Sequence, residues 1–164
     1  MASGGPEMNA LQRRAAAAAL AVAIAAPAEG LRNWAYRDPV GIPTICFGYT
    51  RGVQMGDYKD TAECRGLLTS EMLAAVDQVE RCVPGLPAQV LAAFADAVYN
   101  LGPTIACSVS QSTAARMLRA GDLVGACNQL PRWNKARVAG LLVELPGLTK
   151  RRGIARDTCL QGAA

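Results

Sequence analysis

Residues 29–50, EGLRNWAYRDPVGIPTICFGYT, change character three times within a short span. The alanine-rich run before them carries a helical pattern that can continue past Glu29 through Tyr36. Asp38-Pro39 and Gly41-Ile42-Pro43 then break it, because proline fixes φ and glycine accepts conformations that other residues avoid. Thr44-Ile45-Cys46-Phe47-Gly48-Tyr49 alternates and is β-prone, so a short hairpin or small sheet is expected after the helix. One carboxylate, Glu29, falls on the helical stretch and another, Asp38, at the hairpin.

Two acids on opposite walls of a cleft suit glycoside hydrolysis, in which one protonates the leaving oxygen and the second group handles the nucleophile. The Glu-x8-Asp-x5-Thr spacing of Glu29, Asp38 and Thr44 resembles the catalytic triad of glycoside hydrolase family 24, the phage-type lysozymes, and the surrounding EG, Tyr36, DP, Gly41, Cys46, Gly48 and Thr50 resemble its lambdoid members. Further matches follow in order: YNLG at 99–102, ST at 112–113, AGDLVGAC at 120–127, RWN at 132–134 and LPGLTKRR at 145–152. Two departures concern substrate contacts rather than the triad: Tyr49 stands where a histidine is common, and Gly153 and Ala155 replace acidic residues beyond the double arginine.

The resemblance implies a muramidase acting on bacterial peptidoglycan with inversion at the anomeric carbon, a geometry that sets the two carboxyls roughly 6.5–9.5 Å apart. Glu29 is then the general acid, which requires a raised pKa from a partly apolar site. Trp34, Tyr36 and Phe47 could contribute those surroundings, although packing the core is the preferred role for them. Asp38 stays ionised to activate water, and Thr44 holds the water through a hydroxyl that both donates and accepts. Tyr49, Tyr99 and Asn100 are expected at the substrate by the same resemblance. A lytic transglycosylase, which works with one Glu, and a catalytically silent, membrane-anchored wall-binding module are the alternatives; Asp38 and Thr44 argue against the first, and the complete triad against the second.

Composition narrows the classes further. The absence of histidine removes Ser-His and Cys-His nucleophile pairs and most catalytic zinc sites, so neither metal nor cofactor is expected. The net charge of +4, with Arg132, Lys135, Arg137, Lys150, Arg151, Arg152 and Arg156 late in the chain, favours a polyanionic partner such as cell wall. No aromatic-interleaved basic motif points to nucleic acid. Six cysteines without a Cys-x-x-Cys pair fit disulfides and an oxidising compartment such as the periplasm. Six allow 15 connectivities, which spacing does not decide. The expected set is Cys46–Cys64, Cys82–Cys107 and Cys127–Cys159, each joining neighbouring elements and each worth about 3 kcal/mol in the chain-entropy model.

Residues 15–28, AAAAALAVAIAAPA, follow Arg13-Arg14 and admit three readings: a cleavable signal, an ordinary soluble helix or a releasable membrane anchor. Cleavage after Ala28 would strip the helix that carries Glu29. The run spans about 21 Å as a helix, short of a hydrocarbon core of about 30 Å, and only Leu20, Val22 and Ile24 favour insertion appreciably. The preferred division is a weak signal-anchor helix over 1–28 and a lysozyme-like catalytic domain over 29–164. The chain would be tethered inactive at the inner membrane and then released to the periplasm as a monomer.

Beyond the hairpin, Asp60 with Glu63 reads as a capping box opening a helix whose stripe is Leu67, Leu68, Met72, Ala75, Val76 and Val79. Residues 88–101 form a strongly apolar helix at the centre of a helical lobe, with further helices near 110–120, 122–134 and 149–161. Trp133 is expected as a core anchor beside Arg132. The fold class is α+β, mainly α-helical, a lysozyme-like pair of lobes with one small β-hairpin sheet beside the cleft.

Overall fold

The computed structural model describes residues 7–164; residues 1–6, the start of the segment 1–28, lie outside the described residues. The first helix, α1 (Ala10–Glu29), opens on a reciprocal box in which Asn9 caps the N–H of Gln12 and the Gln12 side chain returns to Asn9. It stops at Gly30, whose φ of +73° is outside helical space. The helix expected through Tyr36 therefore ends earlier. Residues Arg32–Arg37 form strand β1 instead, which suits their β-prone aromatics once Gly30 has turned the chain. Strand β2 (Pro43–Cys46) pairs antiparallel with β1, Tyr36 opposite Thr44. The register is interrupted between Arg32 and Tyr36, where Asn33 and Ala35 bond instead to residues 57–59.

Helix α2 (Thr61–Cys82) begins with the Asp60–Glu63 capping box and buries Leu68, Met72, Ala75, Val76 and Val79, with Leu67 partly covered. Helix α3 (Ala88–Leu101) is buried from Val90 to Val98 and is flanked by α1, α2 and the last helix, α7 (Pro146–Ala163). Between α3 and α7 run α4 (Thr104–Cys107), α5 (Thr113–Ala120) and α6 (Leu123–Gln129), the last continued by a 3₁₀ turn to Arg132. The AGDLVGAC block makes the α5–α6 corner: Gly121 ends α5 in the left-handed region and Asp122 caps α6. A Cβ on Gly125 would lie 2.2 Å from the Asp122 carboxylate, so that position admits no side chain without losing the cap.

A second hairpin, β3 (Lys135–Val138) with β4 (Leu141–Glu144), corrects the expectation of a single small sheet and of helix as far as 134. KARV and LLVE are β-branched or leucine-rich around Ala139-Gly140, and both turn residues have positive φ. The amide of Leu145 closes the hairpin on the carbonyl of Asn134 (3.0 Å). Trp133 packs, partly buried, against the core, whereas Arg132 is exposed. Disulfides join Cys46 to Cys64, Cys82 to Cys107 and Cys127 to Cys159, tying β2 to α2, α2 to α4 and α6 to α7.

Helix α1 enters the core through its smallest side chains. Ala17, Ala21 and Ala25 are wholly buried and Ala18 and Ile24 nearly so, while Ala15, Ala19 and Ala23 face outward. Its first turns are fastened to α2. Arg13 bonds both oxygens of Glu80 and the carbonyl of Leu86, and Arg14 pairs with Asp77. The Arg13 hydrogen bonds hold the Glu80 carboxyl below its usual range, against the opposing effect of burial and with help from the N–H of Gly85. A carboxyl whose folded pKa is depressed stabilises the fold above its unfolded pKa and loses that contribution as pH falls through the folded one. The Glu80→Gln variant should therefore have a lower urea midpoint than wild type at pH 7, with the gap narrowing below about pH 4.5. A gap equal at pH 7 and pH 3 would show that the pair contributes no linked proton.

Candidate active site

Glu29 is the final residue of α1, and its side chain is 25% exposed. Its two carboxyl oxygens meet different surroundings. Oε1 accepts a hydrogen bond from Arg151 Nη1 on α7 at 2.6 Å. Oε2 looks toward Gly48, where a Cβ would stand 3.7 Å away. A cavity of about 500 Å³ opens beside Glu29, bounded by Pro27, Asn100, Leu145, Leu148, Lys150 and Arg151 among others. A second, of about 350 Å³, is bounded by Gly48, Tyr49, Thr50, Arg51, Glu71 and Tyr99.

Gly48 is placed beside the acid by a tight turn. Ile45 and Tyr49 exchange backbone hydrogen bonds of 2.9 Å in both directions, which forces Cys46 and Gly48 to φ of +63° and +89°. Cys46 is anchored within that turn by its disulfide to Cys64. Only glycine takes the second of these conformations without strain. It also keeps from Oε2 the side-chain contact that a Cβ at this position would make.

The other two residues of the expected triad, Asp38 and Thr44, sit on the β1–β2 hairpin. Asp38 is half-buried, and its Oδ1 accepts the N–H groups of Val40 (3.0 Å) and Ile42 (2.9 Å), so it shapes the turn with one oxygen. Thr44 is 3% exposed and donates its hydroxyl to the carbonyl of Ile42 at 2.9 Å. Ile42 thus links the two side chains. Neither lines either cavity, whereas Glu29 and Asn100 share the first and Tyr49 and Tyr99 the second. Tyr99 donates to the Phe47 carbonyl (3.3 Å); its phenol is pushed up by burial and by the charge of Glu29, partly offset by Arg151. Tyr49 lies under the Arg51 guanidinium, 5.4 Å from its ring centre.

Of the aromatics near Glu29 in sequence, Trp34 is 63% exposed and packs on Tyr58, and Tyr36 lies beneath Arg32. Phe47 is buried. What stands behind Glu29 is ionic instead. Arg151 turns its Nε and Nη2 edge onto Asp96, at 3.1 and 2.7 Å from Oδ1, and Arg152 Nη1 reaches Asp96 Oδ2 at 3.0 Å. Arg152 also donates to the Trp133 carbonyl (3.1 Å) and to Asn100. Burial alone would lower both arginines; Asp96 and Glu29 more than reverse this for Arg151, while Arg152 stays lowered. This group was missed by the sequence reading. The signal was available: Asp96 is the sole charge in an otherwise apolar helix that must be buried, and a buried charge requires partners.

In a mainly helical chain with a small hairpin, a carboxylic acid held at one oxygen and open at the other suits the cutting of glycans, the work of lysozymes in the broad sense. Known proteins narrow that class. Residues 26–154 match the family described as phage lysozyme, and the chain belongs to that family; it is a glycoside hydrolase. The SAR-endolysin of Bacteriophage PS119 is 35% identical over 136 residues, 82% of this chain and 77% of that protein. The SAR-endolysin of Pseudomonas phage phiKMV is 35% identical over 153 residues, 90% and 91% of the two chains. In fold, the active form of the P1 phage endolysin Lyz is similar with a TM-score of 0.76, at 23% identity and over 98% of both chains.

The Gly48 turn yields a test. Gly48→Ala adds a methyl beside Oε2 and places an alanine at φ +89°. We expect wall-lytic activity to fall by at least about tenfold, beyond the share explained by backbone strain of roughly 1–3 kcal/mol in unfolding experiments. Activity that tracks stability alone would mean the methyl does not obstruct the acid.

Proposed function

We propose that the chain is an endolysin that lyses its host cell by hydrolysing the β-1,4 bonds between N-acetylmuramic acid and N-acetylglucosamine in peptidoglycan, with inversion and with Glu29 as the general acid. The carrying observation is the unequal treatment of the two Glu29 oxygens, Oε1 on Arg151 and Oε2 facing Gly48, which has no side chain, on a carboxyl 25% exposed. In the protonated acid Oε2 carries the proton and gives it to the glycosidic oxygen as the bond to the anomeric carbon breaks. Arg151, already on Oε1, then holds the carboxylate that forms. Asp38 takes one proton of the attacking water through Oδ2, the oxygen not engaged by the turn. Thr44 has its hydroxyl hydrogen on Ile42, so it acts on water as an acceptor. A water that gives hydrogens to both turns a lone pair to the anomeric carbon, and solvent afterwards returns a proton to Glu29 and removes one from Asp38. Tyr49, Tyr99 and Asn100 contact the glycan.

Residues 15–28 serve as a membrane tether before release, and the freed monomer acts in the periplasm. The names of the curated relatives and the position of Glu29 one residue past the run support this. No described helix is long and apolar enough to cross a membrane; a run as short and weakly apolar as 15–28 would hold to hydrocarbon only marginally, which favours escape. While the run is inserted, Glu29 stays at the bilayer and cannot reach Arg151.

Glu29→Gln keeps the shape and loses the proton. Clearing of chloroform-treated Gram-negative cells should slow by about 10²-fold or more, the usual yield of general acid catalysis. A rate within tenfold of wild type removes Glu29 from this role, and anhydro sugars in the released muropeptides would turn the assignment to a transglycosylase.

The tether needs a test that leaves the folded core alone. Leucines at Ala17, Ala21 and Ala25 would overpack buried positions, delaying release and damaging the released fold together. Leucines at the outward-facing Ala15, Ala19 and Ala23 add about 1–2 kcal/mol of insertion free energy without entering the core. That variant should fractionate with membranes for longer and lyse later, yet match wild type in clearing assays once purified. Unchanged lysis timing and fractionation would make the run an ordinary helix or a cleaved signal.

A further inference from the structure

Directly behind the acid lies a carboxylate with no access to solvent. Asp96, on α3, is 0% exposed and accepts from both Arg151 and Arg152 of α7. A guanidinium is planar, so a carboxylate bonded along its Nε–Nη2 edge fixes where Nη1 points. Here Nη1 points at Glu29. The charge balance is equally specific. Two guanidiniums face two carboxylates when Glu29 is ionised, and the group carries one net positive charge when Glu29 holds its proton. Without Asp96, two uncompensated positive charges would stand behind an acid that must be protonated to work.

We propose that Asp96 is a positioning residue for the general acid: it aims Arg151 at Oε1 and cancels one of the two guanidinium charges that would otherwise favour the ionised form of Glu29. This rests on the assignment of Glu29 as the acid. The other titratable groups around Glu29 are Lys150 at the cavity and Tyr99 on α3, whose phenol responds to the Glu29 charge. Gly48 brings no charge. None of these changes in the variants below, so they offset every profile alike.

The sign is fixed by the role. Activity of a general acid falls as pH rises through its titration, and positive charge left behind it moves that fall to lower pH. Asp96→Asn should therefore shift the alkaline limb of the rate on purified sacculi down by about one pH unit. Arg152→Gln removes a positive charge and should shift the same limb up. Arg152→Lys keeps the charge and should leave it in place, and Asp96→Asn with Arg152→Gln should return it to the wild-type position. NMR of carboxyl-labelled glutamate should report the same displacements for Glu29 directly. Urea midpoints are recorded alongside, because unpairing buried charges destabilises.

A merely structural role predicts lower midpoints and lower rates with limbs and titrations unmoved, or with both single variants displaced in the same direction. Either result overturns the proposal. If Asp96→Asn fails to fold, the opposed expectations for Arg152→Gln and Arg152→Lys decide it: an upward shift in the first and none in the second supports it, and any other pattern overturns it. Failure of the underlying assignment is separately visible, since Glu29→Gln would then retain lytic activity whatever the limbs do.

Discussion

Removing a carboxylate and two guanidiniums from water costs several kcal/mol per ion, and only close mutual pairing recovers it. The Asp96, Arg151 and Arg152 group meets that condition, with every buried side-chain polar atom among the described residues bonded. Its consequence is geometric more than energetic. Replacing all three by apolar residues is the kind of change that proteins often tolerate, but removing one partner typically costs about 3–5 kcal/mol. The group therefore fixes the register of α3 against α7. Because Arg151 also reaches Glu29, it carries that register to the end of α1. Arg152 extends it to the Trp133 carbonyl and Asn100. The sequence blocks YNLG, RWN and LPGLTKRR thus meet around one buried charge.

The legible parts of the fold were those whose cause is local. Asp60 and Glu63 announce the start of α2 because a capping box is complete within four residues, and the apolar run of α3 announces a buried helix without help from its neighbours. The end of α1 was misread because glycine costs a helix only about 1 kcal/mol and so does not by itself stop one; what stops it is the pairing of residues 32–37 with partners farther along the chain. The β3–β4 hairpin was overlooked for a related reason. Leu141, Leu142 and Val143 are all exposed, so no alternation of buried and exposed positions marks the strand.

The site divides in the same way. Residue types and spacing sufficed to nominate Glu29, Asp38 and Thr44, since that reading concerns chemistry and order along the chain. What faces each atom depends on contacts across more than fifty residues, such as Arg151 with Asp96, and on a turn that puts Gly48 beside Oε2. Trp34, Tyr36 and Phe47 are close to Glu29 in sequence and offer it apolar surroundings only as a second role after core packing, which Phe47 fulfils. Trp34 instead packs on Tyr58, away from that task, and the surroundings of the acid are set by a charge balance that no neighbour in sequence reveals.

Helix α1 joins these constraints, for it must be small on one face and end in the acid. Alanine satisfies the first demand because α1 packs on α3, α2 and α7 with Ala17, Ala21 and Ala25 wholly buried, where larger side chains would overpack. The same composition keeps the run only weakly attracted to hydrocarbon. At its start, Arg13 and Arg14 find Glu80 and Asp77 on α2, and at its end Glu29 finds Arg151 on α7. Both ends are therefore held by charges that belong to other helices, while the middle is held by contact alone. The three ion pairs lie at opposite ends of the helix, so all of them are made together only when α1 lies along its whole length against α2 and α7. The fully seated helix therefore includes the contact of Glu29 with Arg151, which the first turns of α1 cannot supply by themselves.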